Sequence, residues 1–344
     1  MYNGIFTISL DFELYWGVLD SKPLKVYKKN ILGAHEAVRE ILDLFEKYSI
    51  HASWAILGYL YFENFEELKE NLPPLIPTYE QKNFSSYEYF KELEKLDKRL
   101  LFAKEEILKI KNSKFQEIAS HTFSHYYCME RGQNKDQFLN DIFYAKKKAK
   151  EFGIDLKSIV FPRDQYSKEC LSMLKKLGFL AYRGNPDHII YKPSAQKSKQ
   201  NIFRKALLLL DSHFDLTGNN TVKVEANDIP INIPSSRFLR PVSKNRAVNF
   251  LRLRRIKKQM EYAAKNRRLF HLWWHPHNFG VDTKNNIKFL EEILIFYKEM
   301  EAKYSMLSLS MKEAALYAKE VNLQKVKNDA KDSWILGLSK QKLL

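Results

Sequence analysis

Two histidines lie four residues apart in the stretch EIASHTFSHYYC, where His121 and His125 follow a short apolar run. Imidazole is the commonest metal ligand among protein side chains, and two rings at this spacing can bind one ion if the backbone turns between them. On a helix, the same spacing would only place two histidines on one exposed face. The pair therefore predicts a metal site only if the chain supplies a third ligand from elsewhere.

Two acids near the start of the sequence are candidates for that third ligand. Asp11 and Glu13 follow the apolar run GIFTISL, and their spacing of two places both side chains on one face of a strand. Catalytic zinc sites commonly have three protein ligands and leave one position for water. One acid would complete the ligand set, and the other would be free to accept a proton from water. The pattern predicts metal-assisted hydrolysis of an acyl group bound through nitrogen or oxygen.

Polar residues also follow several other predicted strands. These candidates are Arg163 and Asp164 in VFPRDQY, Arg183 and Asn185 in AYRGN, and His275, His277 and Asn278 in HLWWHPHN. Charged groups directly after buried strands are costly unless they are paired or bind a ligand. Among them, His275 is placed to protonate a leaving group, and His277 could exchange that role with it.

Apolar runs alternate with helical patterns through most of the chain, which predicts a parallel sheet with helices outside it. The predicted strands are GIFTISLDF (4–12), HASWAILG (51–58), FQEIAS (115–120), SIVFP (158–162), FLAYRG (179–184), LFHLWWH (269–275) and SMLSL (305–309). Seven strands suit an α/β barrel, in which catalytic groups gather at the strand ends. We expect one barrel domain over 1–320, with a helical insertion at about 60–112, a basic insertion at about 185–267 and a polar tail at 321–344.

With these residues placed, the chain resembles the polysaccharide deacetylase family, of the carbohydrate esterase family four type. SLDFE resembles the family's acidic first motif in its Asp-x-Glu branch, and HTFSH matches the second motif, His-Thr-x-Ser-His. LWWH fits the family's Leu-x-x-His motif, HASWAILG resembles its second strand, and HPHN has the His-Pro start of that branch. The resemblance covers roughly residues 4–310.

The resemblance implies a distorted seven-stranded (β/α) barrel that binds a divalent metal ion, with zinc expected and other transition metals as alternatives. It implies that Asp11 is the general base and that Glu13, His121 and His125 are the metal ligands. His275 would be the general acid. The substrate would be an acetylated carbohydrate.

Three motifs depart from the family pattern. Many members have adjacent aspartates in the first motif, whereas Phe12 lies between Asp11 and Glu13 here. The third motif usually has an arginine before a proline, whereas FPRDQY has Pro162 before Arg163. The resemblance implies that Arg163 steadies Asp11. The fourth motif, whose acid tunes the catalytic histidine, has no clear match, and Asp187 and Asp211 are the candidates for it.

Charge is concentrated in one block of this 344-residue chain, whose formal net charge is +16. The block 240–268 holds eleven lysines and arginines against one acid. Such a block favours a diphosphate-linked substrate or peripheral contact with an anionic membrane surface, and a solvated basic helix is an equally good reading. Nucleic acid is disfavoured, because only Phe250 and Tyr262 interleave the basic residues.

Nothing in MYNGIFTISLDFELYWG resembles a signal peptide, and the longest apolar runs are too short to span a bilayer. Cys128 and Cys170 have no metal-type spacing. We therefore expect a cytoplasmic protein, with peripheral contact at the inner membrane face as an extension. An intracellular precursor of a surface polysaccharide is then the expected substrate.

Three alternatives remain at this point. One is an amidohydrolase acting on a small non-sugar amide, and another is an iron site for oxygen chemistry built from two histidines and one carboxylate. The third is a non-catalytic protein that binds anionic partners through the block 240–268. The sequence predicts neither the sugar and its acyl position nor the oligomeric state.

Overall fold

The sheet is built from parallel strands, and its longest strand, β1, is completely buried. A computed structural model describes residues 2–192, 202–211, 213 and 216–324. The strands are β1 (Ile5–Phe12), β2 (Ala52–Ile56), β3 (Gln116–Ser120), β4 (Ser158–Ile159), β5 (Ala181–Tyr182), β6 (Ile231–Asn232), β7 (Arg237–Phe238), β8 (Leu269–Trp274) and β9 (Leu307–Ser308). Their order is β6-β5-β4-β3-β2-β1-β8-β7, with β9 beside the start of β1.

One extended segment, 231–238, joins the two edges of this sheet. Its first half pairs with β5 through β6, and its second half pairs with β8 through β7. The switch occurs between Ser235, which donates its N–H to the carbonyl of Gly184, and Ser236, which donates to that of His271. With this segment taken as one strand, the described part of the chain forms a ring of seven strands. The predicted distorted seven-stranded (β/α) barrel is confirmed.

The strand set differs from the prediction at one place. The run SMLSL supplies β9, which pairs only with the first residues of β1, so it is not a member of the ring. The seventh member instead comes from 231–238, inside the predicted basic insertion 185–267. The sequence indicates a short β-like piece in IPINIP (229–234), which contains β6, but it does not predict β7 or the place of this segment in the ring. Two prolines, Pro230 and Pro234, interrupt the apolar pattern there.

The helices lie outside the ring. They are α1 (Leu24–Lys47), α2 (Phe65–Glu70), α3 (Phe90–Leu93), α4 (Lys104–Asn112), α5 (Lys135–Glu151), α6 (Lys168–Lys176), α7 (Ile202–Asp211), α8 (Arg246–Lys265), α9 (Thr283–Tyr304) and a last described helix at 311–324. No helix within these ranges has both the length and the apolar content needed to cross a membrane. The predicted tail begins inside the last helix, and its residues 325–344 lie outside the described part.

Helix ends follow local sequence signals. Ser167 caps α6, with its side chain accepting the N–H of Cys170. Asn134 caps α5 in a capping box with Gln137. An Asn three residues before a Gln satisfies two N–H groups reciprocally.

The alternation of side chains along β1 separates the core from the interior of the barrel. Phe6, Ile8 and Leu10 belong to the main apolar cluster together with residues of α1 and α9. On the other face, Ser9 and Asp11 are buried within a polar network. The outer layer of the fold is therefore apolar, whereas the interior near the end of β1 is polar.

Two glycines set the distance between α1 and the turn that follows β8. A Cβ atom on Gly33 would lie 2.0 Å from the carbonyl oxygen of Gly280, and one on Gly280 would lie 2.1 Å from that of Asn30. The turn at 276–278 directly follows His275. Close backbone contact with α1 therefore fixes the segment that carries this candidate residue.

Replacing Gly33 with alanine should lower the free energy of unfolding by about 1–3 kcal/mol, because the added methyl group forces α1 away from the turn. Chemical denaturation of the purified variant would measure this loss. Lys29→Ala, at an exposed position of the same helix, is the control and should change stability by less than about 0.5 kcal/mol. Equal stability of the two variants would contradict the role of this contact.

Candidate functional site

Glu13, His121 and His125 meet at the carboxyl ends of β1 and β3. The Oε2 atom of Glu13 lies 3.0 Å from Nε2 of His121 and 3.0 Å from Nε2 of His125. One possible ligand atom from each of the three residues lies within 4.8 Å of the others, and all three side chains are buried. The fold thus brings three residues into one compact donor set, although Glu13 and His125 are 112 positions apart in sequence.

The segment between the histidines is a turn, so His121 and His125 are not a pair of exposed residues on one helix. Thr122 and His125 have positive φ angles of 65° and 64°. The carboxylate of Asp141 on α5 accepts the N–H of Phe123 at 2.7 Å and that of Ser124 at 3.1 Å. A buried carboxylate therefore satisfies the donors that this turn leaves free.

Neighbouring groups orient both imidazole rings. Nδ1 of His121 donates to the carbonyl oxygen of Val160 at 2.9 Å, and Nδ1 of His125 lies 3.0 Å from the hydroxyl of Tyr127. A carbonyl can only accept, so a neutral His121 presents the lone pair of Nε2 to Glu13. Two lone pairs at this distance repel each other unless a proton or a cation lies between them.

This donor set fits a divalent cation. Ligand atoms at tetrahedral angles around zinc, each about 2.0–2.2 Å from it, lie about 3.3 Å from one another. The two distances of 3.0 Å from Glu13 are close to that spacing. Burial opposes ionisation of Glu13, but the charge of His275 and hydrogen bonding with His121 and His125 hold its pKa well below the ordinary value. Glu13 is therefore an ionised ligand candidate.

Asp11, the second acid, is held by a buried arginine from β5's end. Nη1 and Nη2 of Arg183 donate to the two carboxylate oxygens of Asp11, each at 2.7 Å. Burial alone would raise the pKa of Asp11, but the charges of Arg183 and His121 outweigh it and lower that pKa. Asp11 is consequently a carboxylate at neutral pH.

His275 faces both acids from the end of β8. Its Nε2 lies 3.4 Å from Oε1 of Glu13 and 3.8 Å from Oδ2 of Asp11. Its side chain is 22% exposed, against 4% for each acid, so it borders the accessible side of the group. His277 stacks on it with ring centres 4.9 Å apart, but burial lowers the pKa of His277 to about 3.

Comparison with known proteins supports the resemblance on part of the chain. Residues 30–182, which include both histidines of the donor set, match the family model described as polysaccharide deacetylase. Over these residues, the chain is similar to the polysaccharide deacetylase family. The predicted resemblance is thereby confirmed, while its Asp-x-Glu branch stays a prediction. No protein of curated function matches the sequence.

Solved structures share the fold at low sequence identity. A Mycobacterium smegmatis protein assigned as a polysaccharide deacetylase is 12% identical with a TM-score of 0.58, and the match covers 94% of this chain and 92% of that one. A similarly assigned protein from Pseudomonas aeruginosa PAO1 is 9% identical with a TM-score of 0.53, over 92% and 91% of the two chains. PuuE allantoinase is 9% identical with a TM-score of 0.50, over 92% and 90%.

The prediction that Arg163 steadies Asp11 is wrong, because Arg183 occupies that position. Arg163 forms an ion pair with Asp20, lies 3.8 Å from Glu130, and places its guanidinium carbon 4.2 Å from the centre of the Tyr127 ring. Its backbone has a φ of 56° directly after Pro162, which differs from the regular strand end expected for a residue aimed at Asp11. The reversed order of Pro and Arg therefore accompanies a different direction of the side chain.

Neither candidate for the acid of the fourth motif contacts His275. Asp187 is exposed, and Asp211 binds Arg237 and Tyr191. Nδ1 of His275 is buried without a hydrogen-bond partner among the described residues. The part of the chain that the structure describes therefore supplies no acid to Nδ1 of His275.

The helical insertion forms one wall beside the donor set. A small cavity next to His125 is lined by Trp16, Leu19, Asp20, Asn83, Phe84, Ser86, Tyr89, Ser124 and Tyr127. The ring of Trp16 packs edge-on against Tyr59, and its Nε1 donates to the carbonyl of Leu101 at 2.7 Å. The segment 60–112 is thus anchored to the loop that follows β1.

Two supporting residues, Asp141 and Tyr127, were not predicted from the sequence, and a third, Arg183, was predicted without its partner. Arg183 follows a predicted strand, and the need of a buried Asp11 for a cation is the signal that could have paired them. Asp141 and Tyr127 gave no such signal, because their partners are backbone groups and one imidazole in a turn.

Arg183→Met should lower the free energy of unfolding of the metal-free protein by about 3–5 kcal/mol at pH 7, because Asp11 is left buried without its cation. The lowered pKa of Asp11 contributes stability above its ordinary value of 3.8, and that stability is lost as the pH falls through the folded value. The difference between variant and wild type should therefore narrow below about pH 4. Urea unfolding of both proteins at several pH values measures this difference in the free energy of unfolding.

Arg254→Met, at an exposed position of α8, is the control for this substitution and should be near neutral. A loss in Arg183→Met that does not exceed the loss in this control, or that stays constant down to acidic pH, would count against the ion pair.

Proposed function

We propose that the chain is a metal-dependent hydrolase that removes an N- or O-linked acetyl group from a carbohydrate. One observation carries the proposal, namely that a donor set of Glu13, His121 and His125 lies beside a second, separately held acid, Asp11. An iron site for oxygen chemistry would leave that second acid and His275 without a role. A hydrolase uses both.

Zinc is the metal that we propose for the donor set, since two imidazoles and one carboxylate suit it. Such an ion, when bound, would lower the pKa of a water molecule to about 7 and polarise the acyl carbonyl. Glu13, His121 and His125 would hold it. The hydrogen bonds of the two imidazoles to Val160 and Tyr127 would fix their orientation.

Asp11 would act as the general base. Its bidentate pair with Arg183 keeps it ionised and fixes its direction, and Glu13 lies two residues away on the same face of the chain. A general base has to lie within hydrogen-bond reach of the proton that it accepts. Asp11 would therefore take a proton from the attacking water without binding the metal.

His275 would donate a proton to the departing amine or alcohol. It borders the accessible side of the site and lies within 4 Å of both acids, whereas His277 is buried behind it with a lowered pKa. These observations favour His275 over His277 as the general acid. The half-buried Trp273 and Phe238 flank it and would limit access of water.

The substrate that we propose is an intracellular precursor of a surface polysaccharide, carried on a diphosphate, and the protein would be cytoplasmic. Peripheral contact with an anionic membrane surface remains an expectation. Three arginines of the block 240–268 have partners within the fold, since Arg252, Arg255 and Arg268 donate to backbone carbonyls. Those guanidinium groups keep their charge but have fewer N–H donors left for an anionic partner.

The purified protein should contain about one equivalent of a divalent metal, which elemental analysis would identify. His121→Ala should lose most of it, because one of three protein ligands is removed. His51→Ala, whose imidazole pairs with Glu313 elsewhere on the barrel, is the control and should retain the metal. Equal metal content in both variants would contradict the proposed ligand set.

Metal-loaded protein should release acetate from N-acetylated sugar precursors, and Asp11→Asn should reduce kcat by at least about 100-fold with the metal retained. His275→Gln should reduce the cleavage of amides strongly. It should reduce the cleavage of an activated acetyl ester much less, because that leaving group departs without a proton.

Absence of acetate from all such compounds with metal bound would count heavily against the proposal. Release from small ring amides alone would favour the amidohydrolase alternative. Salt-sensitive binding of an anionic partner that survives His121→Ala, without any hydrolysis, would favour the non-catalytic alternative.

A further inference from the structure

Arg240 is a half-buried cation at the carboxyl rim of the barrel, and no described residue pairs with it. It follows β7 by two residues, and it makes no hydrogen bond or ion pair in the described part of the chain. Its guanidinium carbon lies 5.9 Å from the centre of the Phe238 ring. Partial burial lowers its pKa, so the environment disfavours its charge and leaves it uncompensated.

A second arginine, Arg252 of α8, lines a small cavity together with Arg240. Its Nε donates to Nε2 of His213 at 3.2 Å, and its Nη1 donates to the carbonyl oxygen of Pro241 at 3.0 Å. Its Nη2 has no partner among the described residues. Burial and then the charge of Arg240 lower the pKa of Arg252, so the two cations repel each other across the cavity.

Two nearby arginines, unlike Arg240 and Arg252, have a carboxylate partner. Arg237 lies 3.3 Å from a carboxylate oxygen of Asp211, and Arg255 lies 3.7 Å from the other one. Asp211 therefore gives both Arg237 and Arg255 an ion-pair partner. Within the described ranges, no carboxylate is paired with Arg240 or Arg252.

The cavity adjoins the proposed active site. The Phe238 ring lines the cavity and also lies 5.9 Å from the ring of His275, centre to centre. One aromatic ring thus separates this pair of guanidinium groups from the proposed general acid. A ligand whose sugar lies at His275 could therefore extend over Phe238 and reach Arg240.

We propose that Arg240 and Arg252 form a binding site for a phosphate group of the substrate, so that the enzyme acts on acetylated sugars carrying a phosphate or diphosphate. The inference rests on the proposed function. Guanidinium groups bind phosphate oxygens through paired, charge-assisted hydrogen bonds, and two of them match a dianion. The available donors are the unpaired N–H groups of Arg240 and Nη2 of Arg252.

Binding of inorganic pyrophosphate to the metal-loaded protein, measured by isothermal titration calorimetry, tests the site. Arg240→Gln should weaken binding at least about tenfold, the loss expected for charge-assisted hydrogen bonds. Arg254→Gln, an exposed position of the same basic helix, should change it by less than about twofold. Thermal unfolding would verify that both variants are folded.

Unchanged binding in Arg240→Gln would overturn the site, since pyrophosphate would then bind the metal or the surface. An equal loss in Arg254→Gln would also overturn it, because the effect would be one of net charge.

The source of the phosphate is resolved by kinetics on two substrates. One is a nucleotide-linked acetamido sugar in solution, and the other is a polyprenyl-diphosphate-linked acetamido sugar in phosphatidylcholine vesicles. For whichever of the two is the natural substrate class, Arg240→Gln should lower kcat/KM at least about tenfold. The value for a neutral methyl glycoside of the same acetamido sugar, which has no phosphate, should not fall with it. Equal losses for the neutral and the phosphorylated sugars would overturn the inference but leave the deacetylase proposal intact. Loss of pyrophosphate binding in a protein that hydrolyses no acetylated sugar would leave the site standing without the proposed function.

Discussion

The structure depends on two carboxylates that are buried at one end of a barrel. Asp11 and Glu13 lie where desolvation strongly opposes their charge, so each requires a compensating partner within hydrogen-bond distance. Arg183 compensates the charge of Asp11. The imidazoles of His121 and His125, with any ion that they share, compensate the charge of Glu13. The positions of β3, β5 and the turn at 121–125 are all consistent with this requirement.

The compensation extends into the barrel interior. Nη1 of Arg183 also donates to Oγ of Ser9, which in turn lies 2.8 Å from Nε2 of His271. The other nitrogen of His271 lies 3.0 Å from the carbonyl oxygen of Ile233, in the segment that closes the ring. A continuous polar chain therefore links the candidate base to the closing strand, so barrel geometry and the direction of Asp11 are coupled.

Much of the site could be predicted from sequence, because strand ends of a parallel barrel converge and because a strand places alternate residues on one face. Asp11, Glu13, His121, His125 and His275 are brought together as predicted from those two rules. Arg163 was assigned to Asp11 through the order of a motif, and motif order does not specify side-chain direction after a proline. The closing role of 231–238 was not predicted, because each of its two strands is only two residues long and its register is fixed by neighbouring strands rather than by its own pattern.

The late position of β8 in the chain has a consequence for biosynthesis. β1 pairs with β2 and β8, and β8 begins more than 250 residues after β1 ends. During translation, the acids on β1 emerge first and stay hydrated until the strands that surround them have been made. Long-range pairing of this kind slows folding. A nascent chain that ends before Arg183 lacks the cation that pairs with Asp11, and one that ends before β8 also lacks a neighbour of β1. The site can therefore be complete only near the end of synthesis.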